Sequence, residues 1–250
     1  MDTFLTETIK YLGTISPEIL LVLGFLICMV FILISFRYFG SYGLVCYSVV
    51  AVVIANLQVL KLGVFSFINE PVALGTIVFT TLFTTSDLIT EHYGAKLAKK
   101  TIYLTFLVQV FVMLSMLVVI AHPEVDAHTS DVQTGLQTLF TPSLRILVAS
   151  IISFMISQNI DISIFAYFKN LHGKNLLWFR GNVSTLISGI IDTFIFSILA
   201  WIILSPTPIA FTTVLVGFIG FSQGVRMLVS ILSTPLLYLS YRLKDKDHEI

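Results

Sequence analysis

Charged residues are scarce in this chain. Asp, Glu, Lys and Arg together supply 11% of 250 positions and cancel to a formal net charge of zero. No stretch has the basic run with interleaved aromatics that grips a phosphate backbone, so no nucleic-acid partner is expected. Cysteine is nearly absent. Cys28 and Cys46 both fall in apolar runs, outside any CxxC or Cys/His cluster, and read as core packing. His122 and His128 have no partner at metal-ligand spacing and read as solvated loop residues. No metal or other cofactor is expected. Catalytic signatures give no support to an enzyme either: no GxGD or HExxH occurs, the one GxSxG match at Gly220–Gly224 sits inside the last apolar segment and not between a strand and a helix, and without a GxxxxGK[ST] the chain does not hydrolyse ATP itself. The start, MDTFLTETIKYLGTIS, lacks a basic region leading into a short apolar core, so a cleaved signal peptide is not expected.

What is abundant is apolar surface. A hydrophobic content of 56% and a mean hydropathy of +0.96 exclude a water-soluble globule and specify an integral membrane protein. About 20 apolar residues cross a bilayer core. Seven segments meet that length, at 17–36, 42–60, 72–91, 97–121, 143–168, 182–204 and 209–241. The last is long enough to need tilt or a break, for which Gly217, Gly220 and Gly224 offer places. The expected fold is all-α, a polytopic bundle of seven transmembrane helices forming one membrane domain over 1–250. An additional N-terminal helix lies within 1–40 and a six-helix core within 41–245.

Basic residues fix the expected orientation. Arg37, Lys96, Lys99, Lys100, Lys169, Lys174, Arg180, Arg242, Lys244 and Lys246 all follow odd-numbered segments. The positive-inside rule then puts the N-terminus outside and the C-terminus in the cytoplasm. The loop at 122–142 carries Glu124, Asp126 and Asp131 but no base, as an outer loop should.

Several apolar segments carry a polar stripe. Thr80, Thr84, Asp87 and Glu91 recur at spacings of four, three and four, which puts them on one helix face. Ser150, Ser153, Ser157 and Asp161 do the same, with Gln158 one step aside. So do Thr185, Ser188 and Asp192, beginning after Asn182, and Gln223, Arg226, Ser230 and Ser233. In the second segment Ser48, Asn56 and Gln58 lead out to Lys61. A charge at a helix centre costs on the order of 2.5–3.5 kcal/mol, so such residues pair, become neutral or face water, and they mark solute paths. Counted inward, Asp192 and Arg226 reach similar depths near the midplane and form the simplest pair, which reads equally well as a structural brace. Asp87 and Asp161 lie nearer the cytoplasmic end. Phe83, Phe165 and Phe196 share or flank the acidic faces, where they would stack on a flat ring or simply pack.

The stretches TTSDLITEHYGAKLAKK, SQNIDISIFAYFKN, NVSTLISGIIDTFIFSILAW and GVRMLVSILSTPLLY, with a fainter ANLQVLK, resemble the queuosine precursor transporters of the VUT type. The resemblance spans about 55–246, and many members look like six-helix proteins starting near Tyr42, which makes the first helix an addition. It implies a multi-pass protein of the inner (plasma) membrane that brings in a 7-deazaguanine, meaning preQ0, preQ1 or queuine, for tRNA modification. A guanine-like edge offers adjacent N–H groups that a carboxylate accepts as a pair, and a carbonyl that wants an amide or cationic donor. Asp161 or Asp87 would supply the first, and Gln158, Asn56 or Arg226 the second. Glu91, Phe165 and Asp192 complete the expected substrate-binding set. Lys61, Asn182, Ser184 and Ser188, together with Asp192 and Arg226, are structural or gating candidates. Two other functions remain compatible: a membrane hydrolase using Asp87 and Asp161 as acid and base, and a capture subunit served by a separate ATP-driven module. The lipid bilayer is a partner in every case, and a homo-oligomer is compatible with the sequence.

Overall fold

The computed structural model describes residues 2–66, 68–123, 127–140, 144–173, 175–205 and 220–243. A short exposed helix, α1 (Asp2–Leu12), precedes α2 (Pro17–Gln58), which Ser16 caps through its hydroxyl and Pro17 opens. With 42 residues, α2 would measure about 63 Å if straight, twice a hydrocarbon core of about 30 Å. It is not straight. Gly40, at φ 56° and ψ −129°, breaks it into limbs 17–39 and 41–58, the first two segments expected from the sequence. At Gly43 a Cβ would lie 2.1 Å from the Ser35 carbonyl oxygen, so the limbs fold this tightly only without a side chain there. Across the fold, the Tyr47 hydroxyl reaches Cys28 and hydrogen-bonds Thr81 Oγ1 at 2.7 Å. Cys28 is buried as expected, but Cys46 is exposed and does not pack in the core.

An antiparallel hairpin follows, β1 (Leu62–Phe65) and β2 (Ile68–Ala73), with Leu62 opposite Ala73. It corrects the expected third segment: Val72 and Ala73 are strand, and the helix starts at Thr76. This helix, α3 (Thr76–Tyr93), is the centre of the bundle, touching α2 and four helices introduced below. Every residue from Thr80 to Thr90 is buried. A helix enclosed all round is normally apolar all round. Here the polar side chains turn inward on their own backbone: Thr80 donates to Thr76 O at 2.7 Å, Thr81 to Val78 O at 2.7 Å, Thr85 to Thr81 O at 2.8 Å and Ser86 to Phe83 O at 2.9 Å. Hydroxyls satisfied in this way need no water, so a threonine-rich helix can occupy a membrane interior.

Gly94, at φ 90°, turns the chain into α4 (Ala95–Ile120), whose Leu107, Phe111, Leu114 and Val118 face outward. The helix α5 (Ala127–Phe140), within the expected outer loop, was not anticipated. Then come α6 (Leu144–His172), α7 (Leu177–Ile198), whose last turn runs on as a π-helical turn at Leu199–Ile203, and α8 (Gly220–Leu243). α6 packs on α7, and α7 on α8. α7 begins at Leu177, ahead of the expected start at 182, which moves Arg180 from a loop into the bundle. The expected final segment lies partly outside the described residues, at 209–219 with Gly217, as do Lys174, Lys244, Lys246, Glu124 and Asp126. Five of the described helices contain stretches long and apolar enough to cross a membrane, those in α2, α4, α6, α7 and α8. α3 falls short on composition alone because its polar residues face other helices.

Candidate functional site

Three polar levels lie one above another along α3, α6, α7 and α8. At the end nearest the basic loops, Glu91 of α3 is buried and receives Arg180 Nη2 of α7 at 2.5 Å. Tyr241 of α8 donates its hydroxyl to the other Glu91 oxygen. Lys169 of α6 lies 4.0 Å from the carboxylate and donates to the Thr90 and Glu91 carbonyls at 2.9 and 2.5 Å. The Arg180 guanidinium stacks over Phe165 at 5.2 Å and donates to the Gly173 carbonyl, so the ring expected to meet a solute here meets an arginine. Four helices are thus held through one carboxylate.

The middle level contains two carboxylates. Asp161 is fully enclosed, accepting from Ser86 of α3 at 3.2 Å and from Ser188 of α7 at 3.0 Å, with Ser184 also in reach. Asp87, one turn from Glu91, lies within electrostatic range of Asp161, Arg180 and Glu91. It also lies against Gly181, where a Cβ would sit 3.3 Å from Asp87 Oδ2. Its Oδ1 is buried with no hydrogen-bond partner among the described residues. The same holds for Gln158 Nε2. Gln158 borders a void of about 10 Å³ together with Ser86, Ser48, Thr101 and Thr105, so Ser86 stands between that void and Asp161. This space admits about one water and not a base.

The third level is Asp192 of α7 with Arg226 of α8 at 2.6 Å, the pair expected from their equal depth. Ser157 donates to Asp192 at 3.1 Å. The contacts Ser188–Asp161 and Ser157–Asp192 form a reciprocal two-rung ladder, each helix giving one serine and one aspartate. Arg226 lies over Phe79 at 5.1 Å and Phe83 at 6.0 Å, and its Nε and Nη1 have no partner among the described residues. Gln223 fixes the α7–α8 crossing through the Gly189 carbonyl at 2.5 Å and Thr193 at 2.7 Å.

The remaining expected residues, apart from Ser184 beside Asp161, fall outside this column. Asn56 binds Gln109 at 3.1 Å across α2 and α4 and Ser150 at 3.5 Å. Asn182 ties α7 to α8 through Thr234 and Ser230, each at 3.0 Å. Ser184 donates to the Gly181 carbonyl at 3.1 Å besides its approach to Asp161. Lys61 is exposed at the mouth of a separate, apolar cavity. Sequence reasoning missed Arg180, Ser86 as a ligand of Asp161, and Tyr241. For Arg180 the signal was present: Arg180, Ser184, Ser188 and Asp192 recur every fourth residue.

The sequence profile of a family described as "Putative vitamin uptake transporter" matches residues 73–240, about two thirds of the chain and nearly the whole polar column. The chain belongs to this family. A vitamin uptake transporter is a multi-pass membrane protein, in keeping with the helices above. One relative from Bacillus subtilis (strain 168), named "Probable queuosine precursor transporter", is 28% identical over 227 residues, covering 89% of this chain and 93% of its own length. No solved structure matches. Asp87, Glu91, Gln158, Asp161, Arg180, Asp192 and Arg226 all fall inside the matched region, while Asn56, Lys61 and Tyr241 fall outside it.

Proposed function

We propose that the protein imports queuosine precursors, the 7-deazaguanines preQ0, preQ1 or queuine, through the column between α3, α6 and α7. The observation that carries this reading is a buried acceptor and a buried donor without partners, Asp87 Oδ1 and Gln158 Nε2, on the two helices that the Ser86–Asp161 bond joins. A guanine-type edge is their complement. Its ring N–H and exocyclic amine suit a carboxylate, and its carbonyl suits the glutamine amide. Buried groups that need such bonds discriminate against bases lacking them by up to about 10⁴. The relative named for queuosine precursors gives the same substrate class. The void at Gln158, lined from α2, α3, α4 and α6, is too small for a base, so loading requires these helices to separate. The two arginine pairs lie on either side of the middle level, where Glu91–Arg180 would close one end and Asp192–Arg226 the other. In the proposed topology the chain spans the plasma membrane seven times with its N-terminus outside, so the Glu91 level faces the cytoplasm.

Uptake of labelled preQ1 into liposomes containing only the purified protein tests the reading. Saturable entry is expected, displaced by unlabelled preQ0 and unaffected by adenine. Binding without entry would replace an autonomous carrier with a capture subunit that needs an energising partner. Absence of binding would overturn the substrate assignment.

A further inference from the structure

A large cavity lies outside the polar column. It measures about 1170 Å³ and lies between the two limbs of α2, roofed by the β1–β2 hairpin and Leu139 of α5. That exceeds the ~300–1,000 Å³ of ordinary ligand pockets. Its walls are overwhelmingly apolar, from Leu20, Gly24, Phe31, Val50 and Ile54. Several of these, Phe31, Val50 and Ile54 among them, are exposed, so the cavity is open and not enclosed. Water does not fill a space of this lining, and in a bilayer the medium at such an opening is acyl chain.

One end is different. Lys61 and Gln58 stand at the rim where α2 gives way to β1, and Lys61 has no acidic partner among the described residues. The carboxylate of Glu18 accepts from the Ser66 amide at 2.7 Å, which clips the hairpin to the start of α2. An apolar slot ending in an exposed ammonium at a helix end is complementary to an anionic phospholipid, with its tails in the slot and its phosphate on the lysine. The geometry points to a bound anionic phospholipid between the limbs of α2, held by Lys61 at its headgroup. The lipid fills the crevice that a helix hairpin folded at Gly40 leaves open. It thereby supports the α2 surface on which α3 packs.

Native mass spectrometry of the full chain, purified in detergent and offered phosphatidylglycerol or phosphatidylcholine, tests this. One retained phosphatidylglycerol per chain is expected, in preference to phosphatidylcholine. Lys61→Gln should reduce that preference about fivefold, the value of one lysine near an anionic headgroup. At Gly24 nothing lies within 4 Å of an added Cβ, so Gly24→Trp can fill the slot without a clash, and retention should fall to background. No retained lipid in the wild type, equal retention of both lipids, or undiminished retention in Gly24→Trp would each overturn the proposal. Monodisperse elution of both variants keeps misfolding from imitating lipid loss.

Discussion

Asp161→Asn is expected to reduce the initial rate of preQ1 entry into liposomes by about 10- to 100-fold while the protein stays folded. Asp161 is held by Ser86 from α3 and Ser188 from α7, both donating, so its two oxygens already face fixed hydroxyls. An asparagine has the same shape but turns one acceptor into a donor. One serine must then rotate away, and the charge that fixes Ser86, the side chain between Asp161 and the void at Gln158, is gone. Hydrogen bonds to a charged group contribute about 1.5–3 kcal/mol each, which sets the size of the expected loss. Thermal unfolding in detergent should shift little, because the near-isosteric amide leaves no cavity. An entry rate within twofold of wild type would remove Asp161 from the solute path.

The largest loss of stability is expected for Arg180→Ala. Glu91 would remain buried, with Tyr241 and the more distant, half-exposed Lys169 as its partners. Removing one member of a buried pair costs about 3–5 kcal/mol because the other is left without compensation. Phe165 also loses the cation above its ring. The melting temperature in detergent should fall by several degrees. The double variant Glu91→Gln with Arg180→Met should recover most of that fall, since a buried pair exchanged for well-packed groups is close to neutral. Transport should not recover with it. That split distinguishes a closing device at the Glu91 level from a brace, and full recovery of uptake in the double variant would contradict the gating role.

The membrane class and the polar stripes were legible in the sequence because acids and an arginine inside apolar runs are costly enough to show as exceptions. Asp87, Asp161, Asp192 and Arg226 stood out for that reason, and equal depth sufficed to pair Asp192 with Arg226. Partners at helix ends were not legible. Arg180 lies just past the turn at Leu176, where φ is 56°, and the helix boundary decided whether it counted as a loop base or a buried ligand. The β1–β2 hairpin was hidden because LGVFSFINEPVA is as apolar as the start of a span, and only pairing of its two halves separates strand from helix. The central position of α3 was also beyond composition. Its threonines bond to their own helix, and hydropathy has no term for that.

Accessibility at Ser86 tests the central claim most directly. In a Cys28→Ala, Cys46→Ala background, Ser86→Cys is treated with a small hydrophilic thiol reagent, with and without preQ1, alongside Ile187→Cys on the outward face of α7. The expected result is that the cysteine at 86 reacts, preQ1 slows the reaction, and the cysteine at 187 stays inert. A cysteine at 86 as unreactive as the one at 187, or one whose labelling ignores preQ1, would contradict a solute path beside Asp161.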